Sequence, residues 1–217
     1  MTAGNSAGFV DPWLAETLFF ARQSWQRAPS VPPAAAFQQR WWGSFLVTAP
    51  TDVPYWARRV VRSNRFEIVK TGFADPAPTE KDSDYNGISA ETQLSTQKKG
   101  TGVWCEASIE DVQANMSFTG YPADRIHYVQ GMVENTIPVN MPDKIALLRL
   151  DTDWYASTKH ELEHLYPLLE KGGVLLIDDY GHWQGARQAV DEYFAKSGMV
   201  PLLARIDSTC RCFVKPL

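Results

Sequence analysis

An α/β domain, built on a sheet with helices on both faces, is what this 217-residue sequence predicts. Three observations lead there: an apolar run, IALLRL, that ends in Asp151 and Asp153; a second, GVLLI, that ends in Asp178 and Asp179; and an amphipathic segment of helical period between them. Continuous apolar runs bounded by turn signals are strands covered on both faces, and a helix is the usual crossover between two such parallel strands. Crossovers of this kind are right-handed, so all four carboxylates reach the same sheet edge. That edge is where open α/β sheets bind their ligands.

If the two strands are neighbours they lie about 4.8 Å apart, and their terminal carboxylates fall within reach of one cation. Acidic oxygens converging without His or Cys suit a hard ion, Mg²⁺ before Ca²⁺ because it holds few carboxylates and keeps water positions open. The adjacent pair Asp178 and Asp179 repels itself unless something positive lies between. The competing reading makes these residues helix caps, Asp153 or Ser157 for the central helix and Asp179 for the segment from Gln184.

The segments LRLDTDWYASTKHELEHLYPLL, GGVLLIDDYGHWQGARQAVDEYF, PAPTEKDSDYNGISA, TGVWCEASIEDVQAN and GYPADRIHYVQGMVENTIP occur in order. From about Asp75 to the C-terminus the chain resembles the macrocin O-methyltransferase family of natural-product tailoring enzymes. The resemblance implies a Rossmann-like class I methyltransferase sheet with a C-terminal antiparallel hairpin. It also implies an enzyme dependent on S-adenosylmethionine and Mg²⁺ that methylates a hydroxyl on the sugar of a glycosylated antibiotic. By that likeness Asp151, Asp178 and Asp179 are the metal ligands, and Asp153 positions or deprotonates the hydroxyl.

The amino-terminal part departs from the family pattern. The family follows its first strand with an acidic residue and a glycine-rich turn of the form Gly-Val-Trp-Arg-Gly-Gly, which lets backbone approach the methionine end of the cofactor. This chain has TAPTDVP from Thr48 to Pro54, whose prolines remove amide donors and restrict the backbone. Where the family carries a ribose-binding aspartate this chain has Lys70, which accepts no hydrogen bond. Cofactor binding by a changed route, loss of cofactor binding, and an altered segment joined to an ordinary enzyme all fit. The alternative function is therefore an inactive or cofactor-free binding protein that keeps the fold.

Composition narrows the class. A net charge of -4 with no basic stripe argues against nucleic acid as a partner, and no run approaches the roughly 18 apolar residues of a membrane span. The first residues, MTAGNSAGFVDPW, lack a basic segment and an apolar core, so no secretory signal is expected. Cys105, Cys210 and Cys212 form no metal or redox spacing, which fits a reduced cytoplasm.

In chain order, residues 1–36 read as an appendage, a helix from Pro12 to Gln26 and then a linker, with the domain running from 37 to 217. The helix aromatics Trp13, Phe19, Phe20 and Trp25 fit a homo-oligomer contact or packing on the domain's own core. WWGSFLVTAP, TDVPYWARRVVRSN and RFEIVKTG read as a strand-helix-strand unit. Asp75 to Gly100 is rich in turn formers and reads as a loop over the ligand edge or as a solvated connection. Ser108 opens a helix over Ile109 to Phe118. RIHYVQG is a short strand whose end, Gly131 and Met132, is placed by analogy of fold where adenine is met.

His160-Glu161-Leu162-Glu163-His164 matches the zinc-protease pattern H-E-x-x-H. Helical geometry opposes that use: Leu162, Leu165, Tyr166 and Leu169 share a face, and the histidines lie nearly opposite, toward solvent and without a third ligand. Thr158 and Glu161 fit a helix-start box instead. Beyond the acidic pair, a helix carries Ala189, Val190, Tyr193 and Phe194 toward the core. His182, beside that pair, is a candidate general base with an ordinary pKa of about 6.5.

Overall fold

The computed structural model describes residues 45–48, 67–72, 77–98, 102–104, 108–117 and 121–217. The Pro12 to Gln26 helix, the linker, the helix expected over TDVPYWARRVVRSN and Cys105 lie outside the described residues.

A seven-stranded sheet runs through the described residues in the order β3-β2-β1-β4-β5-β7-β6. Its strands are β1 (Phe45–Thr48), β2 (Ile68–Gly72), β3 (Ile126–Gln130), β4 (Ile145–Leu150), β5 (Leu169–Ile177), β6 (Ala204–Arg205) and β7 (Arg211–Val214). Among the described residues five α-helices accompany them: α1 (Ala90–Thr96), α2 (Ile109–Ser117), α3 (Val133–Thr136), α4 (Tyr155–Leu165) and α5 (Gln184–Ser197). Ser108 caps α2 through its hydroxyl and the Asp111 amide at 3.1 Å, as its sequence anticipates.

The unit β4-α4-β5 forms as the apolar runs require. β4 and β5 pair in parallel with Leu150 opposite Ile177, so the residues that follow both strands emerge side by side. Leu148, Leu162, Leu165, Leu175, Val190 and Phe194 are buried in one core that joins the sheet to α4 and α5. The carboxyl-terminal hairpin closes the sheet, β7 antiparallel to both β5 and β6. Leu169 does not belong to the helical face: α4 stops at Leu165, a short 3₁₀ turn covers Tyr166–Leu168, and Leu169 opens β5. Pro167 has no amide to continue the helical ladder.

The amino-terminal strands correct one expectation. β1 and β2 are sheet neighbours, but β1 runs antiparallel to β2 and also to β4. A parallel strand-helix-strand unit would leave β1 at the edge that carries Asp151. Instead Phe45 lies opposite Arg149 and Thr48 lies opposite Ile145, so the chain leaves β1 at the far edge. A backbone ladder accepts a strand in either direction; direction decides only which edge receives each connection. Among the described residues no helix is long and apolar enough to cross a membrane.

Candidate active site

The turn after β4 is tightly built. The Trp154 amide donates to the Thr152 carbonyl at 2.7 Å. The Ser157 hydroxyl donates to Thr152 O and Trp154 O, both at 3.1 Å. Thr152 in turn donates its hydroxyl to Glu161 Oε2 at 2.8 Å. Asp153 sits at φ 65°, a left-handed conformation rare for a residue with a side chain. Such a conformation costs about 1–3 kcal/mol and persists where surrounding bonds hold it.

This turn brings carboxylates together. One oxygen each from Asp151, Asp153 and Asp179 lie within 4.8 Å of one another. Asp151 and Asp153 are 5% and 2% exposed, which places the cluster inside the protein. The Oδ2 atoms of Asp153 and Asp179 are buried without a hydrogen-bond donor. Asp178, expected with Asp151 and Asp179, pairs through its Oδ1 with Arg149 at 2.9 Å. Arg149 also pairs with Asp151, so one guanidinium bridges the turns after β4 and β5.

Burial is the main influence on these groups. It pushes Asp151 well above the usual carboxylate range, Arg149 opposing and Asp178 and Asp179 adding to the rise. Burial and the neighbouring Asp179 do the same to Asp153. Asp179 is pushed up to about 6 by burial, against a hydrogen bond with Asp153. Acids packed this way hold protons, or a cation in their place. Lys70, 2% exposed, is lowered to about 8 by burial and by Arg149, with Asp151 opposing.

An all-oxygen donor set with unsatisfied buried oxygens fits a hard divalent ion. The carboxylates are not the helix caps that their positions also allowed. Trp154 and Trp183 occupy the N-cap positions of α4 and α5 with no side-chain cap bond. The α4 amide of Tyr155 bonds to Asp82 Oδ1 at 2.7 Å, from a loop 73 residues away.

His182 follows on the second turn, its amide bonded to Asp179 O at 3.0 Å. Its ring is half-buried between Trp183 and the exposed Tyr85, at centroid distances of 4.8 and 5.6 Å. Burial lowers its basicity, with Asp84 opposing. Gly131 and Met132 lie away from the acids, at the end of β3, where the Gly131 amide bonds to Gly72 O at 2.9 Å. Gly131 has φ 137°, and a Cβ there would meet the Thr136 methyl at 2.9 Å. The Met132 side chain is exposed.

The H-E-x-x-H pattern holds no metal geometry. Glu161 is fully buried against Thr152 instead of forming a box with Thr158, which lies within α4. The histidines are half-buried and not free in solvent as the helical period suggests. His160 bonds to the Ile137 carbonyl at 3.0 Å, and His164 Nδ1 to His160 O at 2.9 Å. Three site features escape the sequence reading: Arg149, signalled only as a lone arginine in an apolar run, and Asp82 and Asp84, hidden among turn formers.

The sheet with its antiparallel β7 and an acidic edge after β4 and β5 is that of a class I methyltransferase. Within that class, the chain belongs to the macrocin-O-methyltransferase (TylF) family, whose pattern its residues 73–215 match. It is similar to the 8-demethyl-8-(2,3-dimethoxy-alpha-L-rhamnosyl)-tetracenomycin-C 4'-O-methyltransferase of Streptomyces olivaceus, at 30% identity over 70% of this chain and 53% of that one. It also resembles the mycinamicin III 3''-O-methyltransferase of Micromonospora griseorubida, at 32% identity over 54% of this chain and 46% of the relative. The solved O-methyltransferase NovP superposes with a TM-score of 0.50 at 31% identity, over 52% of this chain and 47% of that one. The chain thus spans about half the length of these relatives.

Proposed function

We propose that this protein is an S-adenosylmethionine- and Mg²⁺-dependent O-methyltransferase acting on a sugar hydroxyl of a glycosylated natural product. The observation that carries the proposal is the buried carboxylate cluster at the carboxyl edge of β4 and β5, in a chain of this family. The substrate class is argued from the relatives, which are named for O-methylation of glycosylated antibiotics.

In this reading Asp151 and Asp179 hold the metal. The resemblance makes Asp178 the third ligand, which like Asp151 pairs with Arg149, whereas the grouping of carboxylate oxygens supports Asp153. A bound cation makes a coordinated hydroxyl more acidic. With Asp178 as ligand, Asp153 is the base for that proton, its Oδ2 having no donor; with Asp153 as ligand, His182 takes that part. Burial favours the neutral form of the His182 ring, with Asp84 opposing.

S-adenosylmethionine, when bound, would supply the methyl group. Gly131 and Met132, beside Gly72, offer a close backbone approach and an exposed apolar side chain that fit its adenosine end. The described residues do not fit its methionine end, because the strand in the β1 slot leaves at the opposite edge. That direction, with Lys70 in place of an acid, favours a second reading: a metal-binding protein of this fold without transfer chemistry. In either reading we place it in a reducing compartment, the cytoplasm, on the support of the free thiols Cys210 and Cys212.

Calorimetric titration with S-adenosylmethionine, with and without Mg²⁺, separates the readings. Saturable micromolar binding supports the enzyme. Absence of heat, confirmed by equilibrium dialysis of folded protein, refutes it and leaves the metal-binding reading.

A further inference from the structure

The two turns that carry the aspartates are bonded to the same loop. From Thr79 to Ser89 the chain makes hydrogen bonds to the first residue of α4 and to the first residue of α5.

The α4 contact is Asp82. Its side chain is 1% exposed, and its Oδ1 accepts the Tyr155 amide at 2.7 Å. Its Oδ2 accepts the amide and the hydroxyl of Thr79 at 2.7 and 2.9 Å, which locks the carboxylate from the loop side. The negative group lies at the positive end of α4, which begins two residues after the left-handed Asp153.

The α5 contact runs through Ser83 and Asp84. The Gln184 amide donates to Ser83 O at 2.8 Å, and the Gln184 side chain donates to Asp84 O at 2.9 Å. The carboxylate of Asp84 keeps the loop in shape by accepting the amides of Asn86 and Ile88, both at 2.9 Å. Below the loop, Ala90 packs fully buried against Trp154 and Trp183, the N-cap residues of the two helices, whose rings lie 4.9 Å apart. Gly185 permits this approach, since a Cβ there would stand 1.8 Å from Asp82 Oδ1.

We infer that the Thr79–Ser89 loop is a clasp that fixes the separation of the two carboxylate-bearing turns, with Asp82 and Asp84 as positioning residues for the acidic site. Where the β4-β5 ladder ends at Leu150 and Ile177, the Asp178 amide bonds to Leu150 O at 3.0 Å and Arg149 pairs with both Asp151 and Asp178, which holds the near side of the two turns. The clasp holds the far side, because it bonds to the chain beyond both aspartate pairs. A cation shared between Asp151 and Asp179 then meets preformed ligands, and supporting contacts of this kind govern affinity at metal sites. The inference rests on the reading of that cluster as a divalent-cation site.

The test is Mn²⁺ affinity by electron paramagnetic resonance, on protein shown to be folded by circular dichroism and well below its melting temperature. We expect Asp82→Ala to weaken Mn²⁺ binding at least tenfold, Gly185→Ala to do the same by wedging the clasp outward, and Asp82→Asn to recover part of the loss through its amide oxygen. If the unaltered protein binds Mn²⁺ and folded Asp82→Ala and Gly185→Ala bind it equally well, the clasp inference is overturned while the cation site stands. If the unaltered protein binds none, the cation site falls and the clasp's role goes with it. Should Asp82→Ala fail to fold, Asp82→Asn and Gly185→Ala decide alone.

Discussion

Two parts of the same sheet behave differently. In β4-α4-β5-α5 every level agrees: apolar runs give parallel strands, the crossover helix buries Leu162 and Leu165, and the turns deliver carboxylates to one edge. In β1-β2 the ladder forms, but β1 runs against both of its neighbours. The first part lies within the family match, and both β1 and β2 precede it. Hydrogen bonding along a strand is generic, so a sheet position can be filled by a segment of either direction. Function at a sheet edge is not generic, because it depends on which connection arrives there.

The direction of β1 can be tested by an all-or-none cross-link. With the native cysteines replaced by serine, Thr48→Cys with Ile145→Cys should form a disulfide on mild oxidation, and Phe45→Cys with Ile145→Cys should not. The opposite pattern on a denaturing gel would mean that β1 is parallel and that its following turn does reach the acidic edge.

Next in size are the carboxylates. Asp151→Asn and Asp179→Asn should each weaken Mn²⁺ binding by about a hundredfold or more, in line with loss of a ligand and its charge. Asp153→Asn compared with Asp178→Asn identifies the third ligand, as the larger loss marks it. Unchanged affinity in both Asp151→Asn and Asp179→Asn would dismiss the cluster as a metal site.

Stability gives a graded contrast between the two parts. Leu162→Ala, at a fully buried position in the α4 core, should cost about 3 kcal/mol in urea unfolding. Val69→Ala on β2, which removes less buried surface, should cost about 1–2 kcal/mol. Equal losses would show that β1-β2 is packed as firmly as the acidic half.

The smallest effect concerns β7. Burial pushes the Cys212 thiol from the ordinary 9.0 to about 11. The folded state therefore holds this proton more tightly than the unfolded state. Its contribution to stability is complete below pH 9 and is lost as the pH rises through about 11. Cys212→Ala should flatten stability over that alkaline window, and folded wild-type protein should alkylate slowly at pH 8. Rapid alkylation would mean that β7 frays.

Legible in the sequence were the strands around the acidic edge, the Ser108 cap and the approximate extent of α2, and the candidate residues Asp151, Asp153, Asp178 and Asp179. These follow from local periodicity, from residue chemistry and from short connections, which a linear reading registers directly. The tertiary structure adds what spacing does not show: Arg149 pairs with both Asp151 and Asp178, and one oxygen each of Asp151, Asp153 and Asp179 come within 4.8 Å of one another. It also decided that Glu161 serves Thr152, that Asp82 caps a helix 73 residues away, and that β1 runs backwards. Pairings of that kind are contacts between distant segments, and residue spacing along the chain carries no term for them.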